Sequence, residues 1–319
     1  MLPFVSVAVA SGACETAPDD STIGRAPSGR VTGAPVDAGE LDAGDPPASS
    51  AVDAGTEAAC ARDTLPLLVQ PLSDAPGAPA YKLYVPAKTN GQSDVFLIDT
   101  GSPFSFLHEP LRDGGSSTTT ETEVVPDAGT AVVGCDLLTL QGAAVAQDPP
   151  YEGLSVGGTL GDEHLLSRPL QLDFVARQVI WHDQGSPFAS AAAWPNMPYD
   201  RPGGFVRVRN VAFDGTPVQM FVDTGSADSV WLGQQGQPGD TEVDGEDSQG
   251  NTFKMYLGTT TVTIGSYQEK VPVFRVPSFP YLQQAVDALH GQLNGLFGLS
   301  SFARGIVFDT DTQVVRVAP

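Results

Sequence analysis

Apolar residues in this chain gather in short runs broken by Gly, Pro, Asn and Asp, a pattern that predicts short strands and tight turns rather than long helices. From Tyr81 onward the pattern occurs twice. Val85 to Thr89 reads as a strand, Asn90-Gly91 as a turn, and Val95 to Ile98 as an apolar strand running into Asp99-Thr100-Gly101-Ser102. At an offset of 124, without a gap, Arg209 to Phe213, Asp214-Gly215 and Gln219 to Val222 run into Asp223-Thr224-Gly225-Ser226. Asn-Gly and Asp-Gly supply the positive φ angles of a two-residue hairpin. Ser105 and Ser229 keep the same offset.

A second correspondence follows. Thr159-Leu160-Gly161 precedes a helix-like piece (Asp162 to Ser167), Asp173 and a strand at Gln178 to Trp181. Leu296-Phe297-Gly298 precedes Leu299 to Arg304, Asp309 and a strand at Gln313 to Val317. The interval from Gly161 to Asp173 and that from Gly298 to Asp309 differ by a single position. An Ala- and Pro-rich stretch, Pro187 to Pro202, separates the copies. Tyr281 to His290 has helical apolar spacing and reads as an insertion, which makes the path from Asp223 to Gly298 longer than that from Asp99 to Gly161. Asp-Thr-Gly alone is only a turn signal. Two chance copies arise in about one such chain in a hundred, but chance does not also supply matched hairpins and glycines.

Charge excludes some functions. The 319 residues carry 38 acidic and 16 basic side chains, a net charge of −22, which repels nucleic acid and anionic lipid headgroups. His108, His164, His182 and His290 show no metal-ligand spacing, so no metal and no organic cofactor is expected. Asp240 to Asp247 lacks the alternation of a calcium loop and reads as a solvated acidic loop. Residues 15–63 are almost devoid of large apolar side chains and read as a disordered acidic tether. Residues 1–14, an apolar run ending Ser11-Gly12-Ala13-Cys14, resemble a bacterial lipoprotein signal, although no basic residue precedes the run and Ser11 stands where that pattern has Leu. This implies export to the periplasm, outer membrane or cell surface, with membrane attachment only through a lipid on Cys14. In an oxidising compartment the other cysteines, Cys60 and Cys135, are able to pair or to stay as two thiols.

The doubled Asp-Thr-Gly-Ser with an apolar-apolar-Gly motif in each half resembles the aspartic peptidase superfamily, most closely tandem retropepsin-like domains, over residues 64–319. The resemblance implies an all-β, bilobal fold of two β-barrel halves, 64–200 and 201–319, active as a monomer on a polypeptide. It implies Asp99 and Asp223 as the catalytic pair. Crowded carboxyls do not both ionise easily, so one keeps a proton while the other activates water. Gly101 and Gly225 allow close approach, Thr100 and Thr224 hydrogen-bond across the pseudo-two-fold axis, and Ser102 and Ser226 hydrogen-bond the outer carboxylate oxygens. Flap hairpins are expected over Val124–Val133, with its turn at Pro126 to Gly129, and around Gln249-Gly250-Asn251; neither tip carries the Tyr of pepsin-like flaps. Two other functions are compatible with the motifs: a bilobal module that binds a peptide without cutting it, and a scaffold lipoprotein in which the motifs are structural.

Overall fold

The computed structural model describes residues 63–71, 81–89, 91–109, 122–123, 129–140, 143–145, 151–185, 188, 191–246, 252–279, 286–287, 289 and 291–319. The signal-like segment and residues 15–62 of the tether, Cys60 among them, lie outside the described residues; Asp63, the tether's last residue, accepts from the Trp181 N–H at 2.8 Å. Cys135 is disulfide-bonded, its partner also outside.

The first half contains β1 (Thr64–Pro66), β2 (Leu68–Pro71), β3 (Tyr81–Thr89), β4 (Gln92–Ile98), β5 (Phe106–Glu109), β6 (Thr122–Glu123), β7 (Gly129–Val133), β8 (Asp136–Leu140), β9 (Ala143–Val145) and β10 (Val156–Leu160), then α1 (Asp162–Leu165), β11 (Leu170–Asp173) and β12 (Gln178–Trp181). Strands β2 to β10 form one sheet. At its centre β4 lies between antiparallel β3 and parallel β10, with Val85 opposite Phe96 and Leu160 opposite Ile98. Strand β5 pairs on the far side of β10.

The second half repeats this. Its strands are β13 (Asn196–Asp200), β14 (Arg207–Phe213), β15 (Thr216–Val222), β16 (Val230–Leu232), β17 (Thr241–Glu246), β18 (Thr252–Ile264), β19 (Tyr267–Val276), β20 (Gly295–Phe297), β21 (Gly305–Asp309) and β22 (Val314–Val317), with 3₁₀ turns at Pro202–Gly204 and Leu299–Ser301. β14 and β20 flank β15, and β16 pairs with β20. The β14–β15 turn holds Asp214 at φ 48° and Gly215 at φ 80°, the two positive angles its sequence predicts. The fold is all-β and bilobal.

The halves share more than their active-site loops. β1, β12, β11, β21, β22 and β13 lie side by side in one sheet that continues into β14. Leu170 opposes Phe308, and Met197 opposes Val315. The stretch read as a plain separator thus supplies a strand: Met197 and Tyr199 point into the core while Asn196 and Pro198 face solvent. One continuous core joins Leu83, Phe96 and Leu160 of the first half to Val208, Phe297 and Phe308 of the second. Each such fully buried side chain contributes about 1.5–3 kcal/mol.

Asp240 to Asp247 holds a strand where a loop was expected, although its acidic side chains are solvated as expected. Thr241–Glu246 is strand β17 with Glu242 and Asp244 exposed, and half-buried Asp240 accepts from Arg275 at 3.0 and 3.1 Å. β17 pairs with β18 from Thr241 opposite Leu257 to Glu246 opposite Thr252, so the expected second flap is a hairpin whose tip lies outside the described residues. In the first half the expected turn, 126–129, is also largely outside them. There β7 pairs with β3 and β8, while β6 pairs with β9. Of the expected insertion helix, Val286 and Asp287 are helical, and Val286 and Leu289 pack against the cluster containing Phe221 and Phe274.

Candidate active site

β4 ends at Ile98 and β15 at Val222, and Asp99 and Asp223 are the residues that follow them, both buried. The Asp99 N–H donates to Leu160 O at 3.0 Å, and the Asp223 N–H to Phe297 O at 3.1 Å. Each loop is therefore held by the apolar-apolar-Gly strand of its own half. The hold is closed by Ser105 and Ser229, whose hydroxyl oxygens each accept at 2.9 Å from the N–H of Gly161 and Gly298. Both serines are fully buried. A side chain on Gly161 or Gly298 would collide with the carbonyls of Phe104 or Asp228, so both positions require glycine.

The two loops clasp each other through the threonines. Thr100 N–H donates to Thr224 Oγ1 at 3.0 Å, and Thr224 N–H to Thr100 Oγ1 at 3.1 Å. Each hydroxyl then donates into the opposite half: Thr100 Oγ1 to Val222 O at 2.9 Å, Thr224 Oγ1 to Ile98 O at 3.0 Å. All four groups are buried, so each unmade bond would strand a donor or acceptor without water.

The carboxyls cross over in the same way. A Cβ on Gly101 would lie 2.5 Å from Asp223 Cγ, and one on Gly225 2.5 Å from Asp99 Cγ. Each carboxyl thus rests on the other loop's glycine, where any larger residue would displace it. Asp99 Oδ1 accepts from the Gly101 N–H at 2.8 Å. Asp223 Oδ1 accepts from Gly225 at 2.9 Å and Ser226 at 3.0 Å. Burial, and after it the charge of Asp99 and a hydrogen bond with it, hold the Asp223 carboxyl well above the usual carboxylate range. The backbone N–H groups of Ser226 and Gly225 act the other way, favouring its ionised form.

Ser102 and Ser226 depart from expectation. Their hydroxyls donate along the chain, to Phe104 O at 2.7 Å and Asp228 O at 2.8 Å. A hydroxyl has one proton, so neither donates to a carboxylate; Ser226 reaches Asp223 through its backbone N–H instead.

Asp162 also belongs to this site, and its motif did not single it out. It directly follows Gly161, its N–H donates to Ser102 O at 2.8 Å, and its carboxyl is fully buried. A carboxyl in one copy where the other has Leu299 was the available signal. Asp228, the counterpart of Phe104, is pushed up to about 6 by burial.

No protein-family model and no curated protein sequence matches the chain. Among solved structures, the aspartic proteinase from Irpex lacteus is similar at 14% identity and a TM-score of 0.42, over 80% of this chain and 96% of that one. Basic 7S globulin from soybean is similar at 9% identity and a TM-score of 0.41, over 80% and 95% of the two chains.

Proposed function

We propose that this protein is an aspartic endopeptidase, hydrolysing peptide bonds with a water held between Asp99 and Asp223. One observation carries the reading: two carboxyls from matched loops, each seated on the other loop's glycine, with Asp223 held toward its protonated form. One ionised carboxyl takes a proton from water as it attacks the scissile carbonyl; the protonated one donates to the carbonyl oxygen as it gains charge. Collapse of the tetrahedral species returns a proton to the leaving amine. The titration belongs to the pair, so neither role is fixed to one residue. Both loops come from one chain, which supports a monomeric active unit. Cys135 in a disulfide supports export to an oxidising compartment, with Cys14 as the candidate lipid anchor.

The test is digestion of a peptide library across acidic to neutral pH, with and without a transition-state-analogue inhibitor of aspartic peptidases. Cleavage abolished by the inhibitor is the expected result. A folded protein that binds library peptides and cuts none would leave the binding-module reading in its place.

A further inference from the structure

The two active-site loops are tied back by the same set of bonds, made from different chemistry. In the first half the Ser105 N–H donates to Glu163 Oε1 at 3.0 Å, and its hydroxyl lies 2.7 Å from His164 Nδ1. In the second half the Ser229 N–H donates to Ser300 Oγ at 3.1 Å, and its hydroxyl lies 2.6 Å from Ser301 Oγ. The positions correspond: Glu163 and His164 stand second and third after Gly161, as Ser300 and Ser301 do after Gly298. Glutamate and histidine titrate in the range where proteins work; two serines do not.

Proton counting fixes the state of His164. The Ser105 hydroxyl has one proton and already accepts from the Gly161 N–H at 2.9 Å. Ser105 is fully buried, so that proton needs an acceptor, and His164 Nδ1 is the one it has among the described residues. Nδ1 is therefore unprotonated, and the neutral ring carries its proton on Nε2. A second proton goes onto Nδ1. The new Nδ1–H then meets two oxygens: Ser105 Oγ, whose own proton would be left without an acceptor, and Glu163 Oε1 at 3.3 Å. Either way the bond from Ser105 to His164 is lost. The loss lies two short steps from the dyad: Ser105 holds Gly161, and Leu160, one residue earlier, holds the Asp99 N–H at 3.0 Å.

Solvent reaches the ring. The His164 side chain is 25% exposed and lines a cavity of about 110 Å³ together with Asp136 from β8, Arg168 from the segment after α1 and Trp181 from β12. The charges around it are Glu163 on α1, Asp136, and Arg168, which is paired with Asp63 at 2.7 Å. Asp162 pairs instead with Arg201 at 3.4 Å. Burial holds the ring below the usual histidine range and Glu163 acts the other way, so its protonation belongs to the acidic side of neutrality.

We propose that His164 is a positioning residue that makes the Asp99 loop pH-responsive: neutral, it holds the loop through Ser105; protonated, it releases Ser105 and the loop loosens. The second half, tied by serines, has no such response. The two ties are equivalent at neutral pH and part company in acid. The consequence for catalysis rests on the peptidase reading, because it needs Asp99 held against Asp223; the loosening itself does not.

The experiment is NMR of the full chain labelled with ¹⁵N, following the imidazole nitrogens of His164 and amide hydrogen-exchange protection at Gly161 and Gly298 from about pH 7.5 to about pH 4.5. Protection is taken relative to an unstructured chain, which removes the intrinsic pH dependence of exchange. At neutral pH the ring should carry its proton on Nε2. As it titrates, protection at Gly161 should fall by about tenfold, roughly what one hydrogen bond sustains, while Gly298 holds. His164→Asn puts a carbonyl oxygen in the place of Nδ1 and does not titrate, so Gly161 should stay protected throughout. The double variant Glu163→Ser, His164→Ser copies the second half's tie and should do the same, which keeps the comparison available if His164→Asn fails to fold. Where peptides are cut, the acidic limb of kcat should lie at lower pH in either variant than in the parent. A neutral ring protonated on Nδ1, protection at Gly161 unmoved as His164 titrates, or the same fall in a folded variant would overturn the proposal. The expected fall at Gly161 in a chain that cuts no peptide would retain it and remove the peptidase reading.

Discussion

In the first half, the loop carrying Asp99 is tied back through Ser105, whose hydroxyl sits 2.7 Å from His164 Nδ1. In the second half, the loop carrying Asp223 is tied back through Ser229, whose hydroxyl sits 2.6 Å from Ser301 Oγ. The inner contacts of the loops are near copies. The threonine N–H bonds measure 3.0 and 3.1 Å, and the threonine hydroxyl bonds 2.9 and 3.0 Å. One shell further out the copies diverge: Asp162 against Leu299, Phe104 against Asp228, His164 against Ser301. Where two halves must build one dyad, their geometry is constrained to match. Beyond it each half only has to hold its own loop, and different side chains do that equally well.

The match is most severely tested at the glycines. Gly101→Ala drives a methyl into Asp223, and Gly225→Ala drives one into Asp99. Each should cost about 1–3 kcal/mol in denaturant unfolding, because the added methyl meets a buried carboxyl. Similar losses from the two variants are expected; a loss confined to one would show that the halves do not clasp symmetrically.

The threonines come next. Thr100→Val and Thr224→Val keep the shape and remove a hydroxyl that both accepts and donates across the axis. Each strands a buried N–H and a buried carbonyl, for about 2 kcal/mol per variant. The double variant should lose less than the sum, because a clasp slackened by one lost hydroxyl relaxes around the other. Strict additivity in a double-mutant cycle would separate the loops.

Asp228 tests the divergence. Its folded-state pKa of about 6 lies above the ordinary value of 3.8. A raised carboxyl contributes stability that is present below 3.8 and lost as pH rises through about 6. Tm should therefore climb on acidification from about 6 toward 4, and Asp228→Asn should flatten part of that slope. The two-unit displacement bounds the effect at about 3 kcal/mol, and partial exposure leaves about 1 kcal/mol. An unchanged slope in the variant would place the pH dependence elsewhere.

What could be read from the sequence was local and doubled. Hairpin, Asp-Thr-Gly-Ser, corner glycine and the turn aspartates recur with fixed spacing, because each unit folds mostly on its own contacts. Asp173 and Asp309 show this: each accepts backbone N–H groups a few residues on, in the turn before its half's final strand. The long-range features were not legible in this way. β13 reads as a Pro-rich separator because its pairing partner β22 lies far along the chain, with Met197 opposite Val315. The Ser102 and Ser226 hydroxyls could have served carboxylate or carbonyl, and only the tightness of each loop decides. Asp162 was hidden for a related reason: a repeat draws the eye to positions that agree, and this one matters because it differs.

The central claim is that Asp99 and Asp223 act as one catalytic unit built from both halves. The most direct measurement compares peptide cleavage and thermal unfolding for Asp99→Asn, Asp223→Asn and the double variant against the parent chain. An amide cannot take a proton from water, so each single variant should lose all measurable turnover, the double should lose no more, and all three should unfold at or slightly above the parent's Tm as carboxyl crowding is relieved. Turnover retained by either folded single variant would contradict the shared dyad.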